Sequence, residues 1–109
     1  MKKYQLGEFE EIVLLTVGVL YDEAYGVAIK SEIENRLNRK VSVGAMQSAL
    51  RRMESKGFLD SRLGEANKVR GGKPKRFFTI TAYGKEALKN SQDIRMALWK
   101  DIPKVALDL

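Results

Sequence analysis

Three helix-forming patterns follow one another closely in the first half of this chain, and their short connections narrow the folds that it can adopt. Apolar residues over 8–21 are too dense for a single stripe, which predicts a helix buried on more than one side. Over 25–37 they recur about once per helical turn, which predicts a second, amphipathic helix. Ser42 is a good N-cap for a third helix that runs to Lys56, and Gly57 follows where a positive φ is favoured. Three helices with short connections indicate a helix-turn-helix core.

Two strand-like runs follow the helices, at 58–64 and 76–81, and a polar segment with two glycines and a proline separates them. The second run is rich in aromatic and β-branched residues, which favour a hairpin. Thr81 is a suitable N-cap for a last helix that ends near Pro103. We therefore predict a mainly α fold with a small β-hairpin, in which a winged helix-turn-helix is followed by one C-terminal helix.

The composition excludes most catalytic chemistry. The chain has 109 residues, enough for one domain, and it contains no cysteine and no histidine. Disulfides, Cys/His zinc sites and Cys or Ser/His nucleophiles are therefore excluded. Glu32 and Glu34 lie on different faces of one helix, and the run GGK (71–73) lacks the spacing and setting of a phosphate-binding loop. We expect no catalytic residues, no metal, no cofactor and no enzymatic activity.

The positive charge of the chain is concentrated in one segment. Residues 39–76 contain eleven Lys and Arg against three Asp and Glu, a net charge of +8, whereas the rest of the chain carries −2 of the total of +6. Such a surface would bind nucleic acid in a salt-sensitive way, because neutralised phosphates release counterions. A solvated charged face is the alternative interpretation. The coincidence of a basic helix with a basic hairpin favours double-stranded DNA as the partner.

The third helix divides into two faces when its residues are placed about 100° apart. One face is an apolar stripe made of Val43, Met46, Ala49, Leu50 and Met53. The opposite face has no apolar side chain and carries Gly44, Gln47, Ser48, Arg51 and Ser55. The amide of Gln47 is suited to adenine, and the guanidinium of Arg51 is suited to guanine or a phosphate. This pattern predicts a recognition helix.

The candidate DNA contacts lie on this helix, in the turn before it and in the hairpin. Segment 67–76 has five cations, two adjacent glycines and a proline, a composition typical of a loop that becomes ordered on a phosphate backbone or in a minor groove. Two alternatives stay open: Arg51 as a solvated charge, and Ser42 as a helix cap only. The predicted DNA-binding residues are Lys40, Ser42, Gly44, Gln47, Ser48, Arg51, Arg52, Arg70, Lys73, Lys75 and Arg76.

The last helix carries an apolar stripe that is longer than a small three-helix body can cover, and the first helix has the same surplus. Part of both surfaces is therefore expected to pack on a second copy of the chain, as a homodimer. Trp99, the only tryptophan, is either an anchor of this interface or the wall of a pocket for flat apolar ligands. We predict a DNA-binding domain over 1–80 and a dimerisation helix over 81–109, in one compact unit. The residues predicted for the interface or a ligand site are Phe9, Val13, Ile94, Met96, Leu98, Trp99 and Ile102.

No part of the sequence is long and apolar enough to span a membrane. The longest apolar stretch, 12–21, is shorter than the roughly 20 residues needed, and Thr16 and Gly18 interrupt it. Three glutamates stand directly before it, where the first part of a secretory signal would be positive. We therefore expect no membrane partner and a cytoplasmic location.

The sequence resembles the PadR family of bacterial winged-helix transcription regulators over nearly its whole length. The single short C-terminal helix is similar to the small subclass of that family. One position departs from the family pattern, because Gln47 stands where members commonly have an aromatic residue, usually tyrosine. The resemblance therefore does not predict the operator sequence. Seven motifs follow the family pattern in order and spacing: LGEFE (6–10), YGVAI (25–29), VSVGA (41–45), LRRMESKGFL (50–59), SRLGE (61–65), RGG (70–72) and TITAYG (79–84).

The resemblance implies a dimeric repressor that recognises a palindromic operator through the third helix and the wing. It also implies release from DNA by a small aromatic or cationic effector. A second hypothesis fits the charge pattern as well: a winged-helix module whose basic face binds an acidic protein, without sequence-specific DNA binding.

Overall fold

The computed structural model describes residues 6–64 and 74–108 and contains the helices and the hairpin in the expected order. Helices α1 (Glu8–Leu20), α2 (Gly26–Leu37) and α3 (Val43–Ser55) come first, with a 3₁₀ turn at Tyr21–Glu23 after α1. Strands β1 (Leu59–Leu63) and β2 (Arg76–Ile80) form the wing, and α4 (Ala82–Asp101) and a short α5 (Lys104–Leu107) follow. The predicted mainly α fold with a two-stranded wing and a C-terminal helix is confirmed.

Local capping explains where α3 and α4 begin. The hydroxyls of Ser42 and Thr81 each accept a hydrogen bond from the backbone N–H three residues further on, at 3.0 and 2.9 Å. Each bond satisfies one of the amides that a first helical turn leaves unpaired. The end of α4 falls slightly before the predicted one, and α5, which periodicity did not reveal, starts directly after Pro103.

The two strands of the wing pair with each other, and β2 also forms a hydrogen bond with the helical body. β1 and β2 pair antiparallel over five residue pairs. The N–H of Phe78 on β2 donates to the carbonyl of Ala24, just ahead of α2, over 2.8 Å. A bridge between Tyr25 and Phe77 extends this link. The middle of β2 is therefore held beside the start of α2.

The hydrophobic core is formed by α1, α2, α3 and the wing, with a small contribution from α4. Gly84 lets α4 approach the wing closely, because a β-carbon there would collide with the carbonyl oxygen of Phe58. The buried apolar side chains are Val13, Leu14, Val17, Ala24, Ile29, Ile33, Val41, Met46, Ala49, Leu50, Met53, Phe58, Leu59, Phe78 and Ala87.

Two valines differ from their predicted environments. Val43 was expected in the apolar stripe of the third helix, but it is 62% exposed. It is the first residue of α3, one turn before the stripe meets the core at Met46. Val13 is predicted for a dimer interface or ligand site, and that prediction is wrong, because Val13 is fully buried in the core of the single chain. When a helix is buried on two sides, its periodicity does not reveal which apolar positions face the core of the single chain and which would face an interface.

The far half of α4 projects from the body. From residue 92 to residue 108 every position is exposed, including Ile94, Leu98 and Trp99. The overall dimensions of 60 × 33 × 22 Å reflect this elongated shape. The part of the apolar stripe that lies beyond residue 91 is therefore left uncovered by the rest of the chain.

Candidate nucleic-acid interface

The turn that precedes the predicted recognition helix is held by a carboxylate. Glu34, near the end of α2, accepts a hydrogen bond from the N–H of Val41 (2.8 Å) and pairs with Lys30 (3.2 Å). The Val41 hydrogen bond, followed by Lys30, lowers the pKa of Glu34 below its usual value. Asn38 ends α2 in the left-handed conformation, with φ at 53°, which asparagine tolerates better than most residues. These interactions set the direction in which α3 leaves the turn.

α3 presents the polar face that the sequence predicts. Gln47, Ser48 and Arg51 are exposed on the helix, and Lys40 is exposed in the turn before it. Gly44 is exposed too, and a β-carbon added to it would meet no described atom of the protein within 4 Å. Gly44 is the second residue of α3, within its first turn. The packing around this position does not require a glycine, and its small size leaves the outer surface of α3 open to close approach.

The three basic residues at the end of α3 have different surroundings. Arg52 Nε lies 3.0 Å from an oxygen of Glu10, and Lys56 Nζ lies 3.3 Å from the same carboxylate. Arg51, by contrast, has no ion-pair partner within the ranges 6–64 and 74–108. Of the three cations, Arg51 is therefore the best placed to contact an external partner.

Two cations near the loop end of the wing strands lie against aromatic rings. Lys75 Nζ lies 4.1 Å from the centroid of the Tyr25 ring, and the guanidinium carbon of Arg62 lies 5.0 Å from that of Phe77. The two rings meet edge to face, with centroids 5.6 Å apart. Such contacts hold a long basic side chain in place while its charge stays at the surface. Sequence reasoning missed Tyr25 and Arg62, because the place of Tyr25 depends on how β2 pairs with the start of α2, and the contact of Arg62 depends on the register of the two wing strands.

One open cleft of about 280 Å³ joins α3 to the wing. Gln47 borders it from α3, Lys75 and Arg76 border it from the wing, and Tyr25 borders it from the start of α2. The structure therefore brings together residues that the sequence assigned separately to the recognition helix and to the hairpin. An amide and two cations around one cleft are suited to a base edge and its neighbouring phosphates.

The remaining predicted DNA contacts differ in how far the structure describes them. The Ser42 hydroxyl caps α3, as its alternative interpretation proposed. Arg76 donates a hydrogen bond to Ser61 Oγ across the wing at 2.9 Å. Arg70 and Lys73 lie outside the described residues.

The residues predicted for an interface or a ligand site are also divided. On α1, Phe9 is partly buried against the core and Val13 lies inside it. A shallow apolar cleft of about 200 Å³ between α1 and α2 is bordered by Leu15 and Val19, which are both exposed. The other predicted residues are exposed on α4 and directly after it: Ile94, Met96, Leu98, Trp99 and Ile102.

Two other kinds of site are not formed by the part of the chain that the structure describes. Within it, no three acidic side chains come close enough together to hold a metal ion. None of the helices in the same ranges is long and apolar enough to cross a membrane.

A helix-turn-helix whose second helix presents a polar, partly basic face beside a basic two-stranded wing defines a winged-helix DNA-binding transcription regulator. Comparison with known proteins gives the family. The profile of the transcriptional regulator PadR-like family matches residues 14–90. The chain belongs to this family. No curated protein sequence matches the chain significantly.

Several solved structures are similar to this chain over most of its length. A PadR-like transcriptional regulator from Bacillus cereus has a TM-score of 0.72 and 18% identity, with 93% of each chain covered. A PadR family transcription regulator from Clostridium difficile has a TM-score of 0.62 and 29% identity, covering 82% of this chain and 91% of that one. RosR from H. salinarum has a TM-score of 0.72 and 21% identity, covering 92% and 83%. The same winged-helix fold is thus found in proteins whose sequences are only 18–29% identical to this chain.

Proposed function

We propose that two copies of this chain form a repressor that recognises a palindromic operator, and that a small aromatic or cationic effector releases it from DNA. The proposal is carried by the joint surface of α3 and the wing. Gln47, Lys75 and Arg76 border one cleft, and Arg51 lies one turn further along α3. Amide and guanidinium groups recognise base edges in the major groove, while wing cations bind phosphates. In this proposal residues 1–80 bind DNA and residues 81–109 form the dimer.

The uncovered part of α4 supports the dimer. Leu98 and Trp99 are exposed there, and Leu15 and Val19 are exposed beside the cleft between α1 and α2. Contiguous exposed apolar surface marks interaction sites, and two-fold symmetry is the commonest arrangement of two copies. Such symmetry places the two α3 helices on half-sites about one DNA turn, roughly 34 Å, apart. The operator of such a dimer is a palindrome.

The DNA-binding function is tested by selecting binding sites from random duplexes and measuring affinity against salt. We expect the selected site to bind at least about 10³-fold more tightly than random DNA. The logarithm of the binding constant should fall by about 0.9 per phosphate contact for each logarithmic unit of salt. A slope near zero, or no preference over random DNA, contradicts the proposal. Co-purification with an acidic protein, without any DNA shift, would support the protein-interaction hypothesis instead.

The separate roles of α3 and the wing are tested with two variants. Arg51→Ala should weaken binding to the selected site by about 1–3 kcal/mol and change binding to random DNA little, because a base contact is lost. Lys75→Ala should weaken binding to both and reduce the salt slope by about one, because a phosphate contact is lost. Equal losses on both DNAs for Arg51→Ala would exclude a base contact by Arg51.

The effector is tested through Trp99, whose emission is specific because it is the only tryptophan. Planar aromatic and cationic compounds are titrated into the protein, and those that quench emission are added to the operator complex. An effector should quench Trp99 and release the DNA at the same concentration. Unaltered emission and unchanged operator binding across a diverse library would leave Trp99 as an interface anchor only.

A further inference from the structure

Glu10, in the first turn of α1, is one of two buried polar residues in the described part of the chain, and Thr16 is the other. The side chain of Glu10 is only 8% exposed. It accepts a hydrogen bond from the N–H of Gly7 (3.0 Å) and contacts Arg52 and Lys56, which lie 42 and 46 positions further along. One carboxylate therefore joins the start of α1 to the end of α3.

Burying a carboxylate has a free-energy cost that only hydrogen bonds and opposite charges offset. Burial raises the pKa of Glu10, but the Gly7 N–H and the two cations lower it by more, so the pKa lies below its usual value. A well-packed apolar residue often serves a core as well as such an ion pair does. The Glu10 network is therefore better explained by the position that it imposes on α3 than by the stability that it adds.

Arg52 and Lys56 are four residues apart, so they occupy one side of α3. Glu10 holds them at 3.0 and 3.3 Å. Two ionic contacts along one side of a helix oppose rotation of that helix about its own axis. Rotation matters here because bidentate recognition of a base depends on the direction in which Gln47 and Arg51 leave the helix.

We propose that Glu10 is a positioning residue for DNA recognition, which holds Arg52 and Lys56 and thereby fixes the rotation of α3. In this division, Arg52 and Lys56 orient the helix, and Arg51 contacts DNA. Arg52, which the sequence analysis predicted as a DNA contact, acts here through Glu10. The inference rests on the proposed DNA-binding function.

Glu10→Gln is the central variant. The amide keeps the shape of the side chain and an acceptor for the Gly7 N–H, but it no longer attracts the two cations. α3 is then less well oriented, so binding to the selected operator weakens, while the released cations become available to phosphates. We expect the preference for the operator over random DNA to fall by about tenfold. The salt slope on random DNA should become steeper by about one to two phosphate contacts.

Glu32→Gln is the matched control. It removes the same charge and breaks an ion pair with Arg36 (2.7 Å) that lies within α2. It should leave the preference for the operator unchanged. All variants are measured well below their melting temperatures, so that loss of folded protein does not contribute. If Glu10→Gln lowers the melting temperature but keeps the preference within about twofold of wild type, the positioning role is overturned.

Arg52→Met tests the route from Glu10 to α3. If both residues act through one contact, the double variant Glu10→Gln/Arg52→Met should match the more severe of the two single variants. Additive losses of operator affinity would make Arg52 a separate DNA contact and would overturn the inference. Lys56→Met replaces Glu10→Gln if the latter does not fold. It should lower the preference by a smaller factor, and an unchanged preference counts against the inference.

Hydrogen exchange of the α3 amides in DNA-free protein gives a reading that does not depend on an operator. Faster exchange along α3 in Glu10→Gln than in Glu32→Gln supports the inference, and equal exchange in both overturns it. A wild-type protein without any sequence preference would contradict the proposed function. The exchange experiment would still decide whether Glu10 positions α3.

Discussion

In the body of the protein, formed by α1 to α3 and the wing, each helix buries apolar side chains against its neighbours. Beyond Arg95, every described residue of α4 and α5 is exposed. The two regions have the same kind of amphipathic pattern, and one helix contains both environments, since Ala87 is buried whereas Leu98 and Trp99 are not. Arg95 lies just past the start of the exposed part, which begins at residue 92, and makes an ion pair with Glu11 of α1 at 2.9 Å.

This difference shows that an amphipathic pattern specifies an apolar face but not what covers it. The body has enough elements to cover its own faces. The far half of α4 does not, and exposed apolar surface of this kind is typical of an interface. We therefore expect substitutions in the body to change folding, and substitutions in the far half of α4 to change association.

The largest effect is expected inside the body. Leu14, at the centre of α1, is completely buried. Leu14→Ala should lower the free energy of unfolding by about 2–5 kcal/mol, because it removes buried methyl groups and leaves a cavity. Chemical denaturation at several protein concentrations measures this change. A loss below 1 kcal/mol, or one that varies with protein concentration, would contradict the assignment of Leu14 to the protomer core.

A smaller effect on a different quantity is expected at the far end of α4. Trp99 is 62% exposed in the single chain. If it anchors the proposed dimer, Trp99→Ala should raise the dimer dissociation constant by about 30-fold, which corresponds to about 2 kcal/mol. Analytical ultracentrifugation measures this constant, and Lys100→Ala is the control at the adjacent exposed position. Equal dissociation constants for the two variants would remove Trp99 from the interface.

The pH dependence of stability tests the buried charge of Glu10. The pKa of Glu10 is lowered in the folded protein from its model-compound value of 4.5. Its contribution to stability is therefore complete above that value and is lost as the pH falls through the lower folded pKa. Free energies of unfolding between about pH 6 and pH 3 should fall less steeply for Glu10→Gln than for wild type. Parallel curves would mean that the Glu10 network does not titrate with folding.

The smallest effect is expected for an exposed pair on α4. Lys89 and Asp93 lie 3.1 Å apart, one helical turn from each other, and both side chains are mostly exposed. Lys89→Ala should change the free energy of unfolding by no more than about 0.5 kcal/mol, because solvent and salt screen such a pair. Denaturation at low and high salt measures it. A loss above 1 kcal/mol would show that this surface is covered in the native assembly.

Local features of the fold were predictable because neighbouring residues control them. Ser42 and Thr81 cap their helices by accepting hydrogen bonds from amides three residues away, and Gly57 adopts its positive φ of 86° two residues after the end of α3. The environments of Val13 and Val43 were not predictable. Their exposure depends on how α1 and α3 dock on the other elements, and a helical period does not contain that information.

The candidate site shows the same limit. The polar face of α3 follows from a spacing within one helix, so the sequence predicts Gln47 and Arg51 together. The proximity of Gln47 to Lys75 depends on pairing between the wing and the start of α2, and the partner of Arg52 lies 42 positions away on α1. Charge composition alone could not distinguish Arg51, without a described ion-pair partner, from Arg52, which Glu10 holds.

By itself, the sequence determined the order of the elements, the caps, the polar face of α3 and the concentration of positive charge over 39–76, because each depends on local spacing or on composition. Only the tertiary structure decided which basic residues are held by Glu10, which apolar residues the body covers, and how α3 and the wing share one cleft. Those outcomes depend on contacts between residues that are distant in the chain, and packing brings these residues together only when the whole domain folds.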